Sequence, residues 1–194
     1  MSEVTLESQL FDIINDKEMP EHIKMAKLDM LVMLGVDVNV KDDDSWTALM
    51  YASRDGYKEI VELLIEKGAD INAKNEDGET SLMWASRNGN KDIVKLLLEK
   101  GSDIDAQDKN GSTALIEASI GGRKDVVELL IEKGADVNAK ADSDWTVLMV
   151  ASKLGHKDVV ELLIEKGALI SAPLSINNST TSFLPLYAAY INAV

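Results

Sequence analysis

From Asp42 onward the apolar and polar positions of the chain recur with a fixed spacing. Thr47, Thr80, Thr113 and Thr146 stand 33 residues apart, as do Leu49, Leu82, Leu115 and Leu148, and Gly68, Gly101, Gly134 and Gly167. Aligned position by position, 42–74 and 108–140 share 21 of 33 residues. Self-similarity at such a period marks an array of supersecondary units rather than one continuous core. Four units follow one another without insertion: 42–74, 75–107, 108–140 and 141–173.

The pattern inside a unit predicts two short helices. The first begins at the repeated Thr, whose hydroxyl can accept from an unpaired backbone N–H, and it ends at Gly56, Gly89, Gly122 or Gly155. The second carries apolar residues at helical spacing, as in Ile60, Val61, Leu63 and Leu64, with Lys and Glu between them, and Gly68 and its equivalents stop it. Extended residues then run into a turn such as Asp77-Gly78, a hairpin signal. One unit cannot bury its apolar side alone, so the units must stack.

Three segments of the second unit and its junction, Thr80-Ser-Leu-Met-Trp-Ala-Ser, Asn88-Gly-Asn-Lys-Asp-Ile-Val-Lys-Leu-Leu-Leu and Gly101-Ser-Asp-Ile-Asp-Ala, resemble the ankyrin repeat. The resemblance covers 42–173 and implies an all-α solenoid of helix-turn-helix units joined by β-hairpin fingers. Residues 1–41 look like an N-terminal capping repeat, with a first helix over Val4 to Ile14, a lengthened turn over Asn15 to Met19 and a second helix starting near Pro20. Residues 174–194 look like an uncharged half repeat or cap. Leu184-Pro-Leu-Tyr-Ala-Ala resembles another first helix 38 residues after the previous one, and the 27 residues from Ala168 to Val194 carry no charge. Such an end reads as a natural half-cap, as the edge of a longer array, or as an apolar surface for self-association of an otherwise monomeric chain.

Two departures from the family pattern stand out. Where ankyrin repeats read Thr-Pro-Leu-His, this chain reads Thr47-Ala-Leu-Met, Thr80-Ser-Leu-Met, Thr113-Ala-Leu-Ile and Thr146-Val-Leu-Met, which removes the family's Thr–His hydrogen bonding. The turn glycine is also missing from the first and last fingers, which read Asp44-Ser45-Trp46 and Ser143-Asp144-Trp145. Ser and Asp tolerate a positive φ less well than Gly, so both tips are expected to adopt a different turn from Asp77-Gly78 and Asn110-Gly111. Their tryptophans read either as interface anchors or as rings lying on the neighbouring finger.

Charge then narrows the partner. The 194 residues hold 20 Lys+Arg against 34 Asp+Glu, a formal net charge of −14. That argues against nucleic acid, which is held by cations that displace counterions. The finger and first-helix segments carry 11 acidic and 4 basic residues, whereas the second helices are nearly balanced at 11 and 10. With no Cys, thiolate metal sites and cysteine nucleophiles are absent from the sequence. No serine–histidine–acid constellation, phosphate-binding Gly loop or paired carboxylate motif occurs. The region around Asp108 fails as a calcium loop because Ala106 stands where the first carboxylate belongs. His156 reads as a structural hydrogen-bonding residue, and His22 has no paired ligand. No enzyme, catalytic residue, cofactor or metal is therefore expected. The N-terminus lacks a secretory signal and the uncharged end is too short to span a membrane, which suggests an intracellular, cytoplasmic protein.

The resemblance implies that fingers and first helices line a concave side that binds partners. By position, the candidate protein-binding residues are Asp43, Asp44, Trp46, Tyr51, Arg54 and Asp55 in the first unit and Glu76, Asp77, Glu79, Trp84, Arg87 and Asn88 in the second. The third offers Lys109, Asn110, Ser112, Glu117 and Ile120, and the fourth Asp142, Ser143, Trp145, Val150, Lys153 and Leu154. Aromatic anchors in an acidic field suit a basic peptide or basic protein surface. The expected function is a non-enzymatic protein-interaction module; the alternative is the recognition portion of a larger enzyme or effector.

Overall fold

The computed structural model describes residues 5–169. The C-terminal half repeat or cap and the self-association expected of it lie outside these residues. Ten α-helices are described: α1 Leu6–Asn15, α2 Glu21–Met33, α3 Ala48–Asp55, α4 Lys58–Glu66, α5 Ser81–Asn88, α6 Lys91–Glu99, α7 Ala114–Ile120, α8 Lys124–Glu132, α9 Val147–Leu154 and α10 Lys157–Glu165. They form two layers. The odd-numbered helices pack side by side from α1 to α9, and the even-numbered ones from α2 to α10. A single apolar core between the layers runs from Leu10 to Ala168.

Local chemistry sets the helix ends. The hydroxyls of Thr47, Thr80, Thr113 and Thr146 accept from the backbone N–H of Met50, Met83, Ile116 and Met149 at 3.3 to 3.4 Å. Such caps are each worth about 1 kcal/mol. After each second helix a glycine takes the left-handed conformation, as at Gly68 with φ 91°, and the chain closes on itself through Ala69 N–H to the Leu64 carbonyl at 2.9 Å. The third unit differs slightly, since α7 stops at Ile120 and Gly121, in right-handed geometry, precedes the positive-φ Gly122.

The fingers are less regular than the hairpins expected. Among the described residues they form no strand, only isolated bridges between Lys41 and Thr47 and between Lys140 and Thr146. Each finger has a backbone bond across its base, Asp42 N–H to Trp46, Asn75 N–H to Glu79, Asp108 N–H to Ser112 and Ala141 N–H to Trp145, at 2.9 to 3.1 Å. Successive fingers are joined by Glu76 N–H to Asp44, Lys109 N–H to Asp77 and Asp142 N–H to Asn110, at 3.4, 2.8 and 2.8 Å.

The expected change of turn in the glycine-free tips holds for one of them and fails for the other. Ser45 takes φ 62° and closes the same turn, Ser45 N–H to Asp42 at 2.9 Å, as Gly78 does with Asn75 at 3.0 Å. Asp42 explains it. Its Oδ1 accepts from Asp44 and Trp46 N–H at 3.1 and 2.8 Å, as Asn75 does for Asp77 and Glu79 and Asp108 does for Asn110 and Ser112. The fourth finger has Ala141 at that place. There the tip winds into a short 3-10 turn, Asp142–Asp144, with both Ser143 and Asp144 at φ 59°.

Polar contacts between units take the place of the missing Thr–His bonding. Asn90 Nδ2 donates to the carbonyls of Ser53 and Arg54 at 2.8 and 3.1 Å, Arg123 Nε to Arg87 at 3.1 Å, and His156 Nε2 lies 3.0 Å from the Ile120 carbonyl. Each reaches the orphan carbonyls at the end of the preceding first helix. In the capping region the same register holds Lys24, fully buried, donating from Nζ to the Ile14 carbonyl at 2.7 Å and lying 4.0 Å over the Tyr57 ring. A second line of contacts runs through Asn39 and Asn72, which take the N–H of Asp70 and Asp103 and donate to the carbonyls of Gly68 and Gly101.

Candidate protein-binding face

The finger tips and odd-numbered helices bring a run of aromatic side chains together across three units. Phe11 in α1 meets Tyr51 in α3 edge-on at 6.0 Å between ring centroids. Trp46, at the base of the first finger, lies 4.8 Å from Tyr51 and 4.7 Å from Trp84 of α5. Trp46, Tyr51 and Trp84 are half-buried, each packed on an aromatic neighbour and partly exposed, while the Trp84 Nε1 is buried without a hydrogen-bond partner. The sequence raised anchor and resting ring as alternatives for Trp46; its geometry combines a ring seated on its neighbours with a solvent-facing remainder. Phe11 was missed, because the longer turn of the capping repeat breaks the register that located the others.

Three basic residues of this face, Arg54, Arg87 and Lys153, are occupied within the chain. The Arg54 guanidinium sits 5.4 Å from the Trp46 ring and 4.9 Å from that of Tyr51, and it donates twice to Asp55, at 2.7 and 3.1 Å. A further bond, 3.4 Å to Asn15 Oδ1, ties it to the capping repeat. Arg87 lies 5.7 Å from Trp84, with its Nε 3.3 Å from Glu117. Lys153 lies 4.6 Å over Trp145. Cations placed over ring faces are held by the ring quadrupole. By contrast Asp43, Asp44, Glu76, Asp77 and Asp142 stand exposed on the finger tips.

Burial sorts the remaining candidates. Asn88, Lys109, Asn110, Ser143, Lys153 and Leu154 are exposed; Asp55, Glu79, Arg87, Ile120, Trp145 and Val150 are half-buried. Ser112 and Glu117 are buried, although the third unit puts a carboxylate where the first two put Tyr51 and Trp84. Burial pushes the Glu117 carboxyl above the usual carboxylate range, and the Arg87 charge opposes that shift. The Tyr51 hydroxyl donates to Asp42 Oδ2 at 2.5 Å; burial first, and that bond second, push it up to about 12.

Among the described residues, no group of three or more His, Asp or Glu side chains is placed to hold a metal ion, and no helix is long and apolar enough to cross a membrane. Residues 22–108 and 101–173 each match the family model described as ankyrin repeats (3 copies). No curated protein matches the chain.

Proposed function

The chain belongs to the ankyrin repeat family, whose repeats generally mediate protein–protein interaction, and from that premise we propose that its finger and first-helix side binds a basic peptide or a basic patch on a protein. The observation that carries this reading is the Trp46–Tyr51–Trp84 run, half-buried and bordered by exposed Asp43, Asp44, Glu76 and Asp77. The aromatic surface supplies the apolar anchor and the acidic tips the long-range attraction. Because Arg54 and Arg87 are already stacked and paired, they do not cancel that attraction at the tips. The binding face is laid out in the units 42–74, 75–107, 108–140 and 141–173, and its strongest part lies in the first two. It acts by recognition, without catalysis by its own residues.

Affinity capture with the full chain and with Trp46→Ala/Trp84→Ala tests this. Captured partners are expected to be lost with the double variant, provided circular dichroism shows it folded, and to weaken as salt shortens the screening length from about 10 Å at 0.1 M. A partner held equally by a folded double variant would place the binding surface elsewhere.

A further inference from the structure

Two buried polar atoms on the finger and first-helix side lack a hydrogen-bond partner, and both belong to side chains that Arg87 lies against. Trp84 Nε1 is a donor without an acceptor, and Glu117 Oε2 an acceptor without a donor. Trp84 and Glu117 hold the same register in successive units. The Arg87 guanidinium is 5.7 Å from the Trp84 ring, and its Nε is 3.3 Å from Glu117 Oε2 without the alignment of a hydrogen bond. Glu117 itself is only 7% exposed. A carboxylate that has lost its water is compensated only by a well-aligned cation, and Arg87 does not supply that alignment.

The first unit shows a satisfied arrangement. There Arg54 donates through two nitrogens to Asp55, at 2.7 and 3.1 Å. In the second unit Asn88 takes the place of Asp55 and turns its amide to the Trp84 carbonyl at 3.0 Å, so Arg87 lacks the neighbouring carboxylate that Arg54 grips. Its side chain is 40% exposed, against 29% for Arg54. The third unit has Ile120 in the Arg54 and Arg87 register and puts no cation there. Burial is the largest influence raising the Glu117 carboxyl; the Arg87 charge opposes it, whereas Asp108 and Glu79 add to it. A loosely held arginine thus stands among carboxylates that it does not balance.

We propose that the site under Arg87, made of the Trp84 ring and the Glu117 carboxylate, receives an arginine side chain of the partner, which displaces Arg87. The two unpartnered atoms specify the ligand. Glu117 takes a guanidinium through two parallel N–H bonds, and Trp84 offers a ring face to the same group and an N–H to a main-chain carbonyl beside it. An extended peptide supplies both from one residue, and a lysine cannot reproduce the fork. This site rests on the binding-face reading and sharpens it, from attraction by acidic tips to recognition of a single arginine.

The test is an alternating Ala-Arg octapeptide titrated into the isotope-labelled full chain, read at the tryptophan indole resonances, with that of Trp84 assigned by Trp84→Phe. The Trp84 indole should shift to saturation together with the amides of 43–44 and 76–77. Glu117→Gln should abolish the indole shift and weaken the peptide about tenfold. Glu132→Gln, an equal change of charge at an exposed position of α8, should change it less than about twofold. An Ala-Lys octapeptide of equal charge should move the tip amides and leave the Trp84 indole in place. Arg87→Gln vacates the site and should tighten the Arg peptide about threefold, a gain absent when Glu117→Gln is added. Tip amides that move while the Trp84 indole does not, equal effects of Glu117→Gln and Glu132→Gln, an indole shift of the same size with the Lys peptide, or a gain that persists in the combined variant would each overturn the arginine site and leave the binding face standing. Absence of any shift on this face would overturn both.

Discussion

The first and fourth fingers both lack the glycine found at Gly78 and Gly111, yet only the first keeps the shape of the glycine-bearing ones. In the first, Ser45 takes a left-handed φ of 62° and Asp42 holds the turn around it by taking the N–H groups of Asp44 and Trp46. In the fourth, Ala141 has no such acceptor and the tip tightens into Asp142–Asp144. A side-chain acceptor at the start of the turn thus outweighs a glycine at its tip. Asp144, in the register of Ser45, takes φ 59° without such an acceptor, so what distinguishes the fourth tip is the second positive-φ residue, Ser143. The consequence reaches the binding face, since the same Asp42 also orients Tyr51, whereas the fourth unit has Val150 in that register.

Removing the anchor should erase the difference. Asp42→Ala is expected to cost about 2–3 kcal/mol, because three donors lose one charged acceptor. The first tip would then resemble the fourth, and the Tyr51 hydroxyl would titrate lower than about 12, with the part of its upward shift that burial supplies retained. Chemical denaturation and ultraviolet titration of tyrosine check the two parts separately; an unchanged Tyr51 would show that burial alone raises it.

Tyr51→Phe keeps the ring and deletes only the bond to Asp42, with an expected loss of about 1 kcal/mol at neutral pH. Its pH signature is more telling. Because the folded hydroxyl titrates at about 12, against an ordinary value of 10, the stability it contributes is complete below pH 10 and lost as pH rises through 12. The wild type should therefore lose more stability across that window than Tyr51→Phe, measured by thermal melts at stepped pH.

The converse substitution, Ala141→Asp, supplies the fourth finger with an acceptor. A gain of about 1 kcal/mol is expected, with Asp144 left as the single positive-φ residue of the tip, as Ser45 is in the first. A crystal structure or NMR couplings across 142–144 would report the turn. Smallest of all, Ser45→Gly relieves the positive φ but adds freedom to the unfolded chain, for a net gain of about 0.5 kcal/mol. A loss on this change would mean that the Ser side chain itself supports the turn.

These fingers also show why part of the face was legible in advance. Besides the glycine positions, the 33-residue period sets Asp42, Asn75, Asp108 and Ala141 in one register, and that register carries the difference between the two tips. Helix caps were legible because Thr and Gly act on bonds three to five residues away. Burial of Glu117 and Ser112 was not, since it depends on how α7 and its finger settle between neighbours about 33 residues distant. The stacking of Arg54 on Trp46 and Tyr51 likewise needs the relative placement of a finger and a helix.

The sequence by itself determined the period, the all-α repeat architecture, the Thr and Gly ends of the helices and the bias of acidic residues toward the fingers. All of these follow from residue type at short or fixed spacing. Only the tertiary structure decided that Phe11 completes the aromatic run, that the face's own arginines are paired, and that Lys24 and His156 serve carbonyls of first helices. Those outcomes turn on which side chains meet when units pack, and a local pattern repeated identically along a chain carries no record of that meeting.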